Sequence, residues 1–169
     1  NADVGIVSDD LFDLPELPKT MLIIGGGYIA SEFAGVMNGL GVSVTQYYRG
    51  DQILRGFDNE ARTLIADQMV EKGIDLQLGT NIAEMEKRDD GVLVKSTTGA
   101  EAIFDQVLFA TGRKPNTDSL GIEEAGGALG RGGEIVVDEY SQTGVPSIYA
   151  IGDVTNRVNL TPVAIREGM

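Results

Sequence analysis

A short, wholly apolar run, Met21-Leu22-Ile23-Ile24, leads into three glycines and then into a helical pattern. Unbroken apolarity over so few residues predicts a central parallel strand covered on both faces. Beyond the glycines, Ile29, Phe33, Val36 and Leu40 fall on one helical stripe, and Gly39 and Gly41 predict its end. Residues 42–48 are rich in β-branched and aromatic side chains and predict the next strand. The order is therefore β-α-β, with a right-handed crossover. Asp58 predicts the N-cap of a second helix with Ala61, Leu64, Ile65 and Met69 as its apolar stripe. Lys72 and Gly73 sit where such a helix should stop, and residues 74–78 predict a third parallel strand. Arg62 falls on the polar side of this helix and reads as a surface residue.

From residue 82 the period changes. Residues 82–88, 91–97 and 100–104 predict short strands separated by Asp89-Asp90-Gly91 and Thr98-Gly99, both turn signals. This antiparallel meander stands where a crossover helix would otherwise lead to the next parallel strand, residues 106–110. Further on, residues 134–138 and 147–153 predict two more strands, and Thr161 and Pro162 predict the N-cap and first residue of a last helix. Residues 1–20 are interrupted by Asp9, Asp10, Asp13, Pro15 and Pro18, and predict a lead-in linker whose Leu11, Phe12, Leu14 and Leu17 rest on the domain. The expected fold class is α/β: a Rossmann-like parallel sheet with an antiparallel β-meander crossover. The expected division is a lead-in at 1–20, a nucleotide-binding domain at 21–113, and the start of a second domain at 114–169.

The glycines carry the first candidate chemistry. Gly25, Gly27 and Ala30 fit the G-x-G-x-x-G/A fingerprint in its required strand-to-helix setting. Gly25 permits the tight turn, Gly27 lets the backbone approach a pyrophosphate, and Ala30 lets helix and strand pack closely. The helix N-terminus adds unpaired N–H groups and the positive dipole end. The tip of the second strand speaks to cofactor choice. An NAD-binding unit usually carries an Asp or Glu there to bond the ribose 2′-hydroxyl. Here the tip reads Tyr47-Tyr48-Arg49, with Arg55 in the same loop. Two arginines in one loop either clamp a 2′-phosphate or are solvated charges; the missing acid favours the clamp. Gly112, at the end of the strand at 106–110, suits close approach of a cofactor.

Charge sharpens the picture. The net charge of −13 disfavours nucleic acid and anionic membranes as partners. It also opposes a dinucleotide, so any phosphate site must rest on local donors. The chain holds no Cys and no His, which removes a Cys nucleophile, a Cys/His zinc site and a His base from these residues. There is no long apolar run and no signal-peptide pattern, and cytoplasmic residence is expected. The missing initiator Met and the short final helix suggest a piece of a longer protein.

Taken together, the run from Gly25 to Gly35, the Arg49-to-Asp58 loop, the stretch Ala110-Thr111-Gly112-Arg113-Lys114-Pro115-Asn116-Thr117, the stretch Tyr149-Ala150-Ile151-Gly152-Asp153-Val154 and the stretch Leu160-Thr161-Pro162-Val163-Ala164 resemble the flavin-dependent pyridine nucleotide–disulfide reductases. Within that family the likeness is greatest to the glutathione reductases, and it covers essentially the whole chain. The resemblance implies that Gly25, Gly27, Tyr28 and Ile29 form the pyrophosphate turn, with Tyr28 the tyrosine that shields the flavin until NADPH arrives. It implies that Glu32 pairs with a lysine of the flavin domain, that Arg49 and Arg55 hold the 2′-phosphate, and that Gly112 and Arg113 lie beside the dinucleotide. It further implies that Gly152, Asp153 and Thr161 face FAD, with Asp153 on the ribityl chain. No metal is implied.

The resemblance also implies what this chain lacks: the FAD fingerprint, the Cys-x-x-x-x-Cys redox pair and the C-terminal dimerisation domain with its acid/base pair. The partners implied are the rest of the same homodimeric enzyme and glutathione disulfide, and the chain alone is expected to be inactive. An NADH-using relative such as lipoamide dehydrogenase, and a non-catalytic nucleotide-binding module, remain alternative readings.

Overall fold

The computed structural model describes residues 4–169. The chain divides into two compact units, Asn1–Gly112 and Arg113–Met169. The first is built on a five-stranded parallel sheet: β1 (Ile6–Val7), β2 (Thr20–Ile24), β3 (Ser43–Tyr48), β4 (Asp75–Leu78) and β8 (Gln106–Phe109), in the order β1-β8-β2-β3-β4. Helices α1 (Tyr28–Gly39) and α2 (Asn59–Glu71) are the crossovers. A separate antiparallel sheet of β5 (Ile82–Arg88), β6 (Gly91–Ser96) and β7 (Glu101–Phe104) joins β4 to β8. The expected parallel sheet with a meander in place of one crossover helix is therefore present.

Strand β2 is central, and its register explains its composition. Met21 and Ile23 point into the helix layer with Ala30, Ala34, Met37, Val44 and Met69. Leu22 and Ile24 point the other way, against Met85, Val92, Val94 and Phe104 of the meander. With both faces covered, neither alternate position has a reason to be polar. Each of the four β2 side chains from Met21 to Ile24, at most 4% exposed, contributes about 1.5–3 kcal/mol of hydrophobic stabilisation.

Several expectations need correction. Residues 1–3 lie outside the described residues, and residues 4–20 are more than a linker: β1 pairs in parallel with β8, Ile6 beside Leu108 and Val7 beside Phe109. A two-residue strand is too short to show alternation, so the pattern could not reveal it. The buried face of α1 is Ala30, Ala34 and Met37, with Phe33 at its edge, whereas Val36 and Leu40 are 52% and 57% exposed. The small residues win because α1 must lie close to the glycine turn it follows. In α2 the buried residues are Ala66 and Met69; Leu64 is 63% exposed. Asp58 does cap α2, accepting from the N–H groups of Glu60 and Ala61 at 3.0 and 3.1 Å, and Gly73 follows with φ +92°.

In the second unit, the strands expected at 134–138 and 147–153 reduce to isolated bridges, Leu129 with Ile135 and Gln142 with Tyr149. Backbone groups there bond singly across loops, as Ile135 N–H does to Val154 O and Ala150 N–H to Ser141 O, so no ladder propagates. Helix α3 (Thr161–Glu167) has Leu160 as its N-cap. Thr161 is the first helical residue rather than the cap, because Leu160 is the last residue in extended conformation and its carbonyl takes the first helical bonds, from Val163 and Ala164. Among the described residues no helix is long and apolar enough to cross a membrane.

The join between meander and parallel sheet is held by Asp105. Its carboxylate accepts from the N–H groups of Lys19 and Thr20 at 2.7 and 2.9 Å, and its own N–H donates to Thr20 Oγ1. The Thr20 N–H bond above all, reinforced by Lys19, holds this carboxyl below its ordinary value of 3.8. A depressed carboxyl stabilises the fold fully above its unfolded value and loses that contribution as pH falls through its folded value. Asp105→Ala should therefore lower the melting temperature at pH 7 by about 2–4 °C. The gap from the parent should close as pH falls below about 3.8; thermal melts of both proteins across pH 2.5–7 check this.

Candidate functional site

The carboxyl ends of β2, β3 and β8 frame a cavity of about 320 Å³, walled by Ile24, Gly25, Gly26, Gly27, Tyr47, Tyr48, Arg49, Arg55, Asn81, Ala110, Thr111 and Gly112. This is where parallel sheets bind ligands, beyond the strand ends. Its floor is the turn after β2, and each glycine there has a different reason. Gly25 has φ +143°, and a Cβ on it would overlap the carbonyl of Ala110. The same Cβ would lie 3.3 Å from that of Ala30, the close helix–strand approach expected of these two positions. At Gly26 a side chain would strike the ring of Tyr48. Gly27 is unlike both: its φ is −84°, open to any residue, and a Cβ would meet nothing within 4 Å. Neither backbone strain nor internal crowding requires glycine at this position. What the missing side chain leaves is open space in the cavity, at the N-terminus of α1, where the first-turn N–H groups favour an anion.

The turn is tied to every neighbour. Gly25 N–H donates to Tyr47 O at 2.9 Å, Ala110 N–H to Ile24 O at 2.8 Å, and Leu54 N–H to Gly26 O at 2.6 Å. Gln46, wholly buried on β3, donates from Nε2 to Gly25 O at 2.9 Å. Tyr47 is buried among the side chains packed against the meander, and that burial first, then the charge of Asp75, pushes its phenol above the ordinary value. The ring of Tyr48 packs over Gly26 and Gly50.

Arg49 and Arg55 reach the cavity rim from the loop after β3. Both are exposed, and among the described residues neither bonds a carboxylate or any other group. The nearby Asp58 is engaged in capping α2. In a chain of net charge −13, the loop from Arg49 to Arg55 carries two guanidiniums against one carboxylate, that of the exposed Asp51, and so is locally positive.

Of the residues singled out from the sequence, Gly25, Gly27, Arg49, Arg55 and Gly112 thus come together in the cavity wall. Tyr28 and Ile29, half-buried, and Glu32, exposed, lie in the first two turns of α1, outside that wall. Arg113, Gly152, Asp153 and Thr161 belong to the second unit. There Arg113 Nη2 lies 3.9 Å from Asp153 Oδ2. Gly152, at φ +68°, donates its N–H to Glu167 Oε2 at 2.7 Å, and Thr161 is exposed on the first turn of α3. Sequence reasoning missed Tyr47, Tyr48, Asn81 and Thr111 as wall residues. Tyr47 and Tyr48 stand at a strand tip where only an acid or a cation has a recognised cofactor signature; Asn81, between β4 and β5, carries no signal. Among the described residues no group of three or more metal-ligating side chains converges.

The family described as pyridine nucleotide-disulphide oxidoreductase matches residues 4–168. The chain is 54% identical to glutathione reductase of Burkholderia cepacia, over 99% of this chain and 37% of that protein. It is 48% identical to trypanothione reductase of Leishmania donovani, over 96% of this chain and 34% of that one. Among solved structures it superposes with a TM-score of 0.89 on the HOCl-induced flavoprotein disulfide reductase RclA of Escherichia coli, at 33% identity, covering 97% of this chain and 38% of that one. The chain spans little more than a third of each of these relatives.

Two of these glycines make a stability test. Gly25→Ala should cost about 2–4 kcal/mol, from the strained φ and the overlap with Ala110 O. Gly27→Ala should cost no more than about 1 kcal/mol, the difference between two weak N-cap residues. Urea unfolding of both variants measures the contrast, and equal losses would refute the assignment of Gly27 to an open wall.

Proposed function

We infer that this chain, which belongs to the pyridine nucleotide-disulphide oxidoreductase family, is the NADPH-binding part of a glutathione-disulfide reductase. The observation that carries the reading is the pair of unpartnered guanidiniums, Arg49 and Arg55, on the rim of a cavity floored by the glycine turn. The 54% identical glutathione reductase supports the choice of disulfide.

The residues present fit such a cofactor. Gly27 leaves room for the pyrophosphate, and the N–H groups at the start of α1 supply donors without a side-chain charge. Arg49 and Arg55 supply planar, permanently charged forks for a 2′-phosphate. No acid stands at the tip of β3 to repel it: the strand ends in Tyr47-Tyr48, and Arg49 follows. When bound, the nicotinamide would supply hydride chemistry, with the flavin of the intact protein as its acceptor. Gly112 brings uncluttered backbone to the wall on the β8 side. In the second unit, Asp153 and Thr161 present an exposed carboxylate and hydroxyl toward FAD on this reading. The chain's part is to bind and orient the electron donor; with no Cys it has no thiol to pass electrons to a disulfide.

NADPH should bind at least about tenfold more tightly than NADH, the difference made by charge-assisted contacts to the 2′-phosphate. Replacing Arg49 and Arg55 together by Ala should weaken NADPH by about 10²-fold and leave NADH within about twofold. The reason is that the two ligands differ only at the 2′ position. Calorimetric titration with both nucleotides decides it: a double variant that binds NADPH like the parent would remove the clamp and the NADPH assignment with it.

A further inference from the structure

The loop that carries the two arginines is held in shape by a third. Arg62, in the first turn of α2, turns its guanidinium back under that loop. Nε donates to Ile53 O at 2.7 Å, Nη2 to Gln52 O at 3.0 Å, and Nη1 to Asn59 Oδ1 at 3.0 Å. Gln52 and Ile53 lie between Arg49 and Arg55. Among the described residues no other donor reaches these two carbonyls.

The rest of the loop is fixed from the opposite side. The side chains of Ile53 and Leu54 are buried, 0% and 7% exposed. Leu54, immediately before Arg55, has φ +56°, a conformation a leucine keeps only when its surroundings impose it. Its N–H is bonded to Gly26 O, in the glycine turn itself. The backbone leading to Arg55 is thus gripped between the turn on one side and the Arg62 fork on the other. Arg62 is half-buried and absent from the cavity wall, so it acts on the rim through Gln52 and Ile53, not by contact with a ligand.

We propose that Arg62 is a positioning residue for nucleotide specificity: it fixes the 50–55 loop so that Arg49 and Arg55 are set for a 2′-phosphate before the ligand arrives. This rests on the NADPH reading above and adds to it the residue that preorganises the clamp. Two carbonyls side by side need a planar donor with two parallel N–H groups, which lysine lacks. A small displacement of charged groups meant for bidentate contact is enough to lose much of their effect.

The test is titration of this 169-residue chain and its variants with NADPH and with NADH, alongside thermal melts. Arg62→Met and Arg62→Lys should each weaken NADPH by about 5–10-fold and NADH by less than about twofold. In an Arg49→Ala/Arg55→Ala background, Arg62→Met should have no further effect on NADPH, because the groups it positions are gone. The proposal is overturned by Arg62→Lys binding NADPH as the parent does, which would mean that charge alone matters; by equal losses for both nucleotides, which would make Arg62 a structural residue; or by a full additional loss in the background lacking the clamp. If the Arg49/Arg55 double variant loses NADPH while both Arg62 variants keep it, the positioning role fails and the NADPH reading stands. A parent that binds both nucleotides equally overturns both.

Discussion

Everything in the first unit depends on holding one backbone turn rigid while leaving its outer side bare. The turn after β2 carries Gly25, Gly26 and Gly27, and backbone bonds from Gly25, Ala110 and Leu54 lock it to β3, β8 and the arginine loop. Gln46 shows what that rigidity costs. It is fully buried in an apolar layer, its Nε2 engaged by Gly25 O, and its Oε1 has no partner among the described residues. An unpaired buried amide oxygen is unfavourable by about 1–3 kcal/mol. A leucine would fill the same space without that cost but would leave Gly25 O without its side-chain donor. Violations of a local rule of this kind concentrate where a structure must hold a geometry for function.

The same turn resolves the electrostatic conflict posed by a net charge of −13. A globally acidic chain can still hold an anion if the attraction is short-ranged, because exposed charges more than about 8 Å away are screened at physiological ionic strength. Helix dipole, backbone N–H groups and two rim arginines all act within that range. Two acids stand close by in sequence, Asp51 in the loop itself and Asp58 at the N-terminus of α2, and among the described residues neither forms an ion pair with Arg49 or Arg55. Local charge is decided by which groups are already engaged, and net charge says little about it.

How far the sequence could be read follows from what each signal depends on. The central strand was legible because burial on both faces leaves only apolar residues, as Met21 to Ile24 show. The meander was legible from its turns. The faces of α1 and α2 were misjudged because hydrophobicity ranks Val36, Leu40 and Leu64 above Ala30, Ala34 and Ala66, whereas helix–sheet distance selects the alanines. Strand β1 has no periodicity to detect, and the second unit forms single bridges where apolar runs had suggested strands. In the site, glycines and arginines announced themselves by residue type. Arg62 did not, because a guanidinium that bonds backbone carbonyls ten residues away has no pattern in the chain; only its fold position reveals it.

The two named disulfide reductases that this chain resembles at 54% and 48% identity bear the names of different disulfides. Such similarity is understandable if this segment meets the electron donor and never the disulfide. The features that define its cavity are a glycine turn, a helix N-terminus and two rim charges, none of which has a shape suited to a peptide disulfide. All three instead match the common chemistry of a phosphorylated dinucleotide. On the proposed reading, selection for substrate acts on other parts of the protein, while the constraints here are those of the turn: Gly25 against Ala110, Gly27 against open space, and an arginine loop anchored at Gly26 and Arg62. On that same reading a change of disulfide would leave each of those constraints as it is, whereas a change of nucleotide would bear directly on Arg49, Arg55 and the loop that presents them.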